Sequence, residues 1–324
     1  MILSLRGEDF FCYFEERNPI MTDFQVTILG NGSAVPTAFQ NPSAQILQYG
    51  HRRFLIDCAE GTQIQMLKYQ VSRKSLSHIF ISHLHGDHYF GLIGLISTLH
   101  LYGREQPLHI FGPKPLEEIV HMQLKYSDTR LKYPLLFHTL RDAELIYEDS
   151  MLEIKCFPLN HRVPTWGFVF REKEKERNLR KDFVARYAPG VEQMHRIKQG
   201  GDFVLPDGNI IKNKEITTDP SLPRSYAYCS DTAYDPKIIS FIRSVDMLYH
   251  EATFDDALVD VAAEKFHSTA RQAAQIAKEA SVGKLLLGHF SARFSDVSHL
   301  LEEAREVFEN TLLSIQGETY VVGR

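Results

Sequence analysis

The amino-acid sequence predicts an α/β protein, on three observations. Short apolar runs of strand character recur along the chain and alternate with stretches of helical apolar spacing. Five of those runs end at a histidine or an aspartate. The second of the five, Ile79-Phe80-Ile81, opens directly into Ser82-His83-Leu84-His85-Gly86-Asp87-His88. A strand that stops there releases three imidazoles and one carboxylate into a loop at the sheet edge.

Bulk properties set the frame. The 324 residues suffice for one large domain or two small ones, and 44% hydrophobic with 24% charged residues is ordinary for a soluble globular protein. No apolar stretch approaches the ~20 residues that span a bilayer, and residues 1–19 lack the apolar core of a secretory signal. Cys12, Cys58, Cys156 and Cys229 are widely spaced and form no Cys-x-x-Cys pair. They suit reduced thiols, and so a cytoplasmic protein. A net charge of −5 argues against coating nucleic acid through the overall field, while a local basic patch is allowed.

In chain order, residues 24–29 alternate and then run apolar as a strand does, and Gly30-Asn31-Gly32-Ser33 turns tightly into Val35-Pro36-Thr37. Residues 1–20 carry no such pattern. Met21 therefore reads as a natural start, and 1–20 as an extension or a misassigned start. Strands follow at 44–49 and 53–56, the second ending in Asp57. That carboxylate has two readings: a partner that fixes the tautomer of a ligand imidazole, or a helix N-cap.

Beyond the histidine loop, residues 90–102 have helical spacing, 109–111 read as a strand, and 115–126 as a helix opened by proline. His100, His109, His121 and His138 have no ligand-like neighbours and read as packing or surface residues. Three further strands end at His161, Asp231 and His289. A helix at 270–280 is capped by Ser268 or Thr269. His267 lies beside that helix start, with Glu251 available nearby. Proton donor with an orienting partner and plain capping residue are both open readings for it.

The ligand count closes. His83, His85 and His161 serve one metal ion, Asp87, His88 and His289 a second, and Asp231 is left to bridge them. Imidazole nitrogen and carboxylate oxygen suit zinc, and positions left open to water make such a site hydrolytic rather than structural. A solvated histidine-rich loop is the plain alternative, but the repetition of ligand residues at strand ends weighs against it. Residues 171–224 stand apart. They hold twelve Lys/Arg against nine Asp/Glu, a net of +3 that leaves −8 for the rest of the chain. The mixed-charge run 171–181 reads either as a phosphate-backbone contact or as a solvated helix face.

Together these motifs resemble the metallo-β-lactamase superfamily and, within it, RNase Z, the tRNA 3′-processing endoribonuclease. The likeness is carried by Leu29-Gly30-Asn31-Gly32-Ser33-Ala34-Val35-Pro36-Thr37, Asp57-Cys58-Ala59-Glu60-Gly61-Thr62-Gln63 and the histidine loop. It continues through His250-Glu251-Ala252-Thr253, His267-Ser268-Thr269 and His289-Phe290-Ser291-Ala292-Arg293-Phe294. The resemblance implies a four-layer αβ/βα sandwich, with residues 21–324 as the nuclease domain and 171–224 as an inserted flexible arm that grips tRNA. It implies two zinc ions per subunit, Asp87 as general base, and His267, oriented by Glu251, as proton donor. The implied activity is removal of the 3′ trailer from precursor tRNA by metal-hydroxide hydrolysis, leaving a 3′-hydroxyl, in a cytoplasmic homodimer with no membrane partner. The opening loop departs from the family pattern: Pro36-Thr37-Ala38-Phe39-Gln40-Asn41 lacks the two basic residues usual there. Two rival readings use the same residues: a hydrolase of small thioesters, lactones or phosphodiesters, and a silent RNA-binding protein with structural zinc.

Overall fold

In the computed structural model, which describes residues 23–323, two seven-stranded sheets lie face to face. The expected extension at 1–20 lies outside the described residues. The first sheet follows chain order through β1 (Phe24–Gly30), β2 (Ala44–Tyr49), β3 (Arg52–Ile56), β4 (Leu76–Phe80), β5 (Leu108–Gly112) and β6 (Leu135–Thr139). It is antiparallel up to β3 and parallel from β3 to β6.

The second sheet starts with the meander β7 (Glu144–Glu148), β8 (Leu152–Leu159) and β9 (Thr165–Glu172). An insertion follows, carrying β10 (Asn178–Leu179), β11 (Phe203–Val204), β12 (Ile210–Ile211) and β13 (Thr217–Thr218). The sheet resumes with β14 (Ser225–Cys229), β15 (Met247–Glu251), β16 (Leu285–Gly288) and β17 (Thr311–Leu313), and β18 (Thr319–Val321) returns to pair with β1.

Three apolar layers hold the stack together. Between the sheets the core is strongly aromatic, with Phe54 and Phe80 of the first sheet against Phe168, Phe170, Tyr226, Tyr228 and Tyr249 of the second. Buried tyrosine hydroxyls need partners. Tyr226 donates to Gln45, Tyr228 to Asp57 and Tyr49 to Glu172.

Helices α1 (Thr62–Lys68), α2 (Gly86–Tyr89), α3 (Leu92–Leu101) and α4 (Pro115–Tyr126) lie in the first half of the chain. Leu95, Ile96, Leu116 and Val120 join Ile46, Leu55 and Ile79 in the outer core of the first sheet. Within the insertion are α5 (Lys181–Tyr187), α6 (Val191–Lys198) and α7 (Asn213–Ile216); α8 (Ile239–Ile242), α9 (Val259–Lys265), α10 (Ala270–Glu279) and α11 (Ser298–Arg305) follow it. Ala273, Ala274 and Ala277 give α10 a small-residue face that lies close on Leu248, Leu285 and Leu287. The expected four-layer αβ/βα sandwich is thus observed.

The topology gathers strand ends. β3 and β4 of one sheet, and β8, β14, β15 and β16 of the other, all stop at one edge of the sandwich, where side chains from six loops converge. Ligand sites in such sheets lie outside the carboxyl ends of the strands.

Several expectations need correction. The helix expected at 90–102 is observed as α3, Leu92–Leu101; it starts two residues late because Gly91 packs on the loop after β3. Its N–H donates to Cys58 O at 2.9 Å, and a Cβ there would lie 2.0 Å from Ala59 O. Strands β6, β7, β9, β15, β17 and β18 carried no assignment from sequence. The charged run 171–181 is not a helix face: β9 continues to Glu172, and α5 begins only at Lys181.

The insertion has a core of its own, made by Phe183, Ile197, Phe203 and Ile216, and the β10–β13 pair closes its neck. At the root, Glu172 is buried and clasped by Arg224, with Nη2 2.8 Å from Oε1 and Nε 3.1 Å from Oε2. Burial works against the carboxylate, but hydrogen bonds from Arg224 and Lys175 hold its pKa at about 2.

Candidate metal centre

All seven expected ligands meet at the gathered edge, in the grouping that the residue count gave. His83 Nε2 lies 3.0 Å from His85 Nδ1, which lies 3.3 Å from His161 Nε2. Asp231 Oδ2 approaches His83 Nε2 at 3.6 Å and His161 Nε2 at 3.8 Å. On the other side, His88 Nε2 and His289 Nε2 are 3.3 Å apart, and each lies 3.6 Å from Asp87 Oδ2. Asp231 Oδ1 is 3.2 Å from His88 and 3.1 Å from His289. The two oxygens of Asp231 therefore belong to different groups, which is what a bridging carboxylate requires.

These spacings test whether the donors fit zinc. Four ligands at ~2.05 Å around a tetrahedral ion lie about 3.3 Å from one another. The separations given above, 3.0–3.8 Å in the first group and 3.1–3.6 Å in the second, bracket that value. The donor chemistry fits as well, with three nitrogens and one oxygen on one side and two of each on the other.

Tautomers are set by the groups behind the ligands. His161 Nδ1 meets the Phe266 carbonyl at 2.9 Å, so it carries the hydrogen and Nε2 is the free lone pair. His88 Nδ1 donates to Asp57 Oδ2 at 2.8 Å. The Ser82 hydroxyl donates to Asp57 and so receives from His83 Nδ1 at 3.1 Å. Thr253 Oγ1 donates to Glu251 Oε2 and accepts from His289 Nδ1 at 2.8 Å. Four of the five imidazoles thus present Nε2, each with a defined outer partner. His85 instead presents Nδ1.

Asp57, left open between two readings, is the partner and not the cap. It is fully buried, takes Ser82 N–H at 2.7 Å and Tyr228 O–H at 2.7 Å, and the N-cap of α1 is Gly61.

Charge follows the same logic. Burial, reinforced by neighbouring imidazoles, lowers the pKa of His83 and His85; burial also lowers that of His161. All three favour the neutral ligand form. Burial also opposes a charge on Asp231, but the neighbouring His289 and His88 outweigh it and hold the carboxyl ionised.

His267 sits beside the two groups, its ring 5.2 Å from His161 and 5.5 Å from His289. Its Nδ1 donates to Glu251 Oε1 at 2.8 Å. Burial disfavours a charge on this ring, but the Glu251 carboxylate wins and raises its pKa to about 9. His267 also comes within ligand range of Asp231 and His289. It lies outside the two groups described above, and its cationic form has no lone pair to offer a metal but has a proton to give. Glu251 is fully buried and accepts four bonds, from Thr232 N, His267 Nδ1, Thr253 N and Thr253 Oγ1.

Four left-handed backbone positions lie around the centre. Ala34, Asp57, Phe266 and His289 all have positive φ, between 55° and 63°. Each costs on the order of 1 kcal/mol in a residue with a side chain. The left-handed turn at Phe266 accompanies its carbonyl's contact with His161, and Ala34 N–H bonds Asp87 Oδ2 at 2.7 Å.

Sequence reasoning did not assign roles to Thr253, Ser82, Tyr228 or the Phe266 carbonyl. Thr253 and Ser82 left a trace, the one inside the His-Glu-Ala-Thr motif and the other at the head of the histidine loop. The four histidines read as packing residues behave so: His109 and His138 stack with Phe111 and His78, His121 packs on Phe137, and His100 accepts from Lys132 N.

Comparison with known proteins agrees with this geometry. The family model described as anti-Pycsar protein Apyc1 matches residues 24–162. The short form of human tRNase Z superposes with a TM-score of 0.68 at 26% identity, covering 93% of this chain and all of that one. YhfI of Bacillus subtilis, a metallo-beta-lactamase fold protein, superposes at 0.67 with 20% identity, over 94% of this chain and all of that one. Ribonuclease Z of Bacteroides fragilis is 46% identical over 91% of this chain and 97% of its own length. Ribonuclease Z of Phocaeicola vulgatus is 47% identical over 91% of this chain and 96% of its own. A likeness of that depth, spanning the motifs that build the centre, means that the chain belongs to the ribonuclease Z family.

Proposed function

We propose that this protein is a zinc-dependent endoribonuclease that removes the 3′ trailer from precursor tRNA and leaves a 3′-hydroxyl. The observation that carries the reading is the division of Asp231, one oxygen to each of two donor groups at tetrahedral spacing. His83, His85 and His161 would hold one ion, Asp87, His88 and His289 the other, with Asp231 between them. When bound, two zinc ions supply Lewis acidity toward the phosphate oxygens and lower the pKa of water.

The chain's own residues do the rest. Asp87 is fixed by Ala34 N–H and faces the donor cluster, where it orients the attacking water and takes its proton. Attack on phosphorus breaks the bond to the tRNA 3′ oxygen, and the phosphate stays on the trailer. His267, held protonated by Glu251, gives its proton to that departing oxygen.

The insertion at 171–224 is proposed as the arm that grips the tRNA body. β9 begins beside the centre, where Trp166 N bonds Ser82 O, and ends seven residues later at Glu172, about 23 Å away by strand rise. An arm rooted at the far end is better placed to serve a second subunit's centre than its own, which supports a homodimer. Ile64 and Leu67 on α1, with Phe90, Leu101 and Tyr102 around α3, supply exposed apolar surface for subunit contact. The free, buried thiols of Cys58, Cys156 and Cys229 suit a reducing cytoplasm. Among the described residues no helix is long and apolar enough to cross a membrane.

The test is incubation of zinc-loaded protein with a precursor tRNA bearing a trailer, with the cut mapped on a sequencing gel. A single cut just 3′ of the discriminator nucleotide supports the proposal. Turnover of small phosphodiesters with the precursor left whole would refute it.

A further inference from the structure

Beside the metal centre, on the outer face of the second sheet, lies an open groove of about 900 Å³ that the mechanism above does not use. Its walls are the end of β8, at Pro158 to Asn160, and the segment Asp235 to Arg243. The groove is joined to the centre through Asn160, which precedes the ligand His161. Asn160 N–H donates to Thr232 Oγ1 at 3.2 Å and its carbonyl accepts from Ala233 N–H at 2.8 Å, just past the bridging Asp231.

The lining is that of a nucleic-acid track. Lys237 and Arg243 are exposed, and neither is paired with a carboxylate among the described residues. The nearby carboxylate of Asp235 is spent on capping Lys237 N–H at 3.0 Å. Phe241, 39% exposed, is stacked on the buried Phe157 at 5.1 Å and 15°, which fixes its ring while leaving surface open to the groove. Two free cations supply phosphate contacts, and an anchored aromatic ring supplies a platform for base or ribose.

We infer that this groove binds the 3′-terminal nucleotides of the tRNA, on the side of the departing oxygen, with Lys237 and Arg243 on phosphates and Phe241 against a base. The side follows from the proton donor. Asn160 leads into His161, His161 Nδ1 is held by the Phe266 carbonyl, and Phe266 precedes His267. The Ser268 hydroxyl bonds Thr232 O at 2.7 Å, closing the same corner. The RNA whose 3′ oxygen takes the proton from His267 therefore leaves the centre at the groove's inner end. This rests on the tRNA-processing reading above and adds the residues that seat the product strand.

The test uses the full, zinc-bound chain with the double variant Lys237→Ala/Arg243→Ala and the single variant Phe241→Ala. Turnover of bis(para-nitrophenyl) phosphate, which does not reach the groove, should stay within about twofold and reports an intact centre. The probe is an acceptor-stem minihelix ending in a 3′-hydroxyl at the discriminator nucleotide, titrated against salt. The double variant should bind it about tenfold more weakly, and the slope of log K against log salt should fall by about 1.4 for two lost single-strand contacts. Phe241→Ala should weaken binding about fivefold or more. Unchanged affinity and slope would overturn the inference. So would a loss confined to a free trailer oligonucleotide, because the groove would then hold the other strand. Failure of wild-type protein to cut precursor tRNA would refute the function proposed above, and the minihelix titration would still decide the groove.

Discussion

Replacing Glu251 by Gln tests the acid role of His267 quantitatively. The amide keeps the size of the carboxylate but removes its charge. Glu251 accepts two donors on each oxygen, so the new NH2 must face N–H or O–H groups on one side. In the parent, Glu251 outweighs burial and holds the His267 pKa at about 9 instead of its ordinary 6.5. Without that charge the value falls to 6.5 or below, a change worth about 3 kcal/mol to the cation. At pH 8 an acid of pKa about 9 is about nine-tenths protonated, and one of pKa 6.5 about 3%. Proton donation needs the protonated form, so activity is lost as pH rises through the pKa.

Single-turnover cleavage of a trailer-bearing precursor should therefore fall about thirtyfold in Glu251→Gln at pH 8, but less than about twofold at pH 6. Bound cations lower both pKa values, so the displacement between the two profiles is the quantity to compare. His267→Ala should lose the same alkaline limb, and adding Glu251→Gln to it should cost little more, because the two act as one unit. Parallel pH profiles for wild type and Glu251→Gln would show that His267 is not an acid held protonated by Glu251.

Three further outcomes follow from the geometry. Thr253→Val removes the acceptor behind His289 Nδ1, and should weaken zinc binding about 10- to 100-fold in a chelator competition while leaving the fold intact. Arg224→Met leaves the Glu172 carboxylate buried without its main partner and should cost about 3–5 kcal/mol in urea unfolding; a loss under 1 kcal/mol would show that the clasp at the arm's root is not a stabilising element. Replacing residues 173–223 by a short Gly-Ser linker should raise KM for precursor tRNA at least tenfold, with turnover of a small phosphodiester unchanged. Equal effects on both substrates would remove the arm from tRNA recognition.

How much of this was legible in the sequence depends on the kind of signal. A ligand at the end of an apolar run is marked twice, by residue type and by the run's termination. His83, Asp231 and His289 were readable for that reason, and so was their grouping. Asp57 carried the same double mark at the end of 53–56, but its choice between cap and partner was made by Ser82 and Tyr228, the latter 171 residues away. The Phe266 carbonyl left no mark, because a backbone oxygen has no residue type. The missed strands split into two kinds. β6 and β7 are edge strands with much exposed surface and weak alternation, while β15 is buried throughout and β9 at every residue but Arg171, so neither shows a period of two. The Glu172–Arg224 clasp was hidden for a third reason. Its partners lie 52 residues apart at the two ends of a charged segment, where each looked like one more solvated ion.

In the mechanism proposed above Asp231 joins two zinc sites, and cleavage needs both. Metal-depleted protein is titrated with zinc, and bound zinc and single-turnover cleavage of precursor tRNA are read on the same samples. Two zinc ions per chain are expected, with cleavage that rises with the second, and Asp231→Ala should retain neither metal nor activity. Full cleavage at one equivalent, or cleavage by Asp231→Ala, would contradict that mechanism.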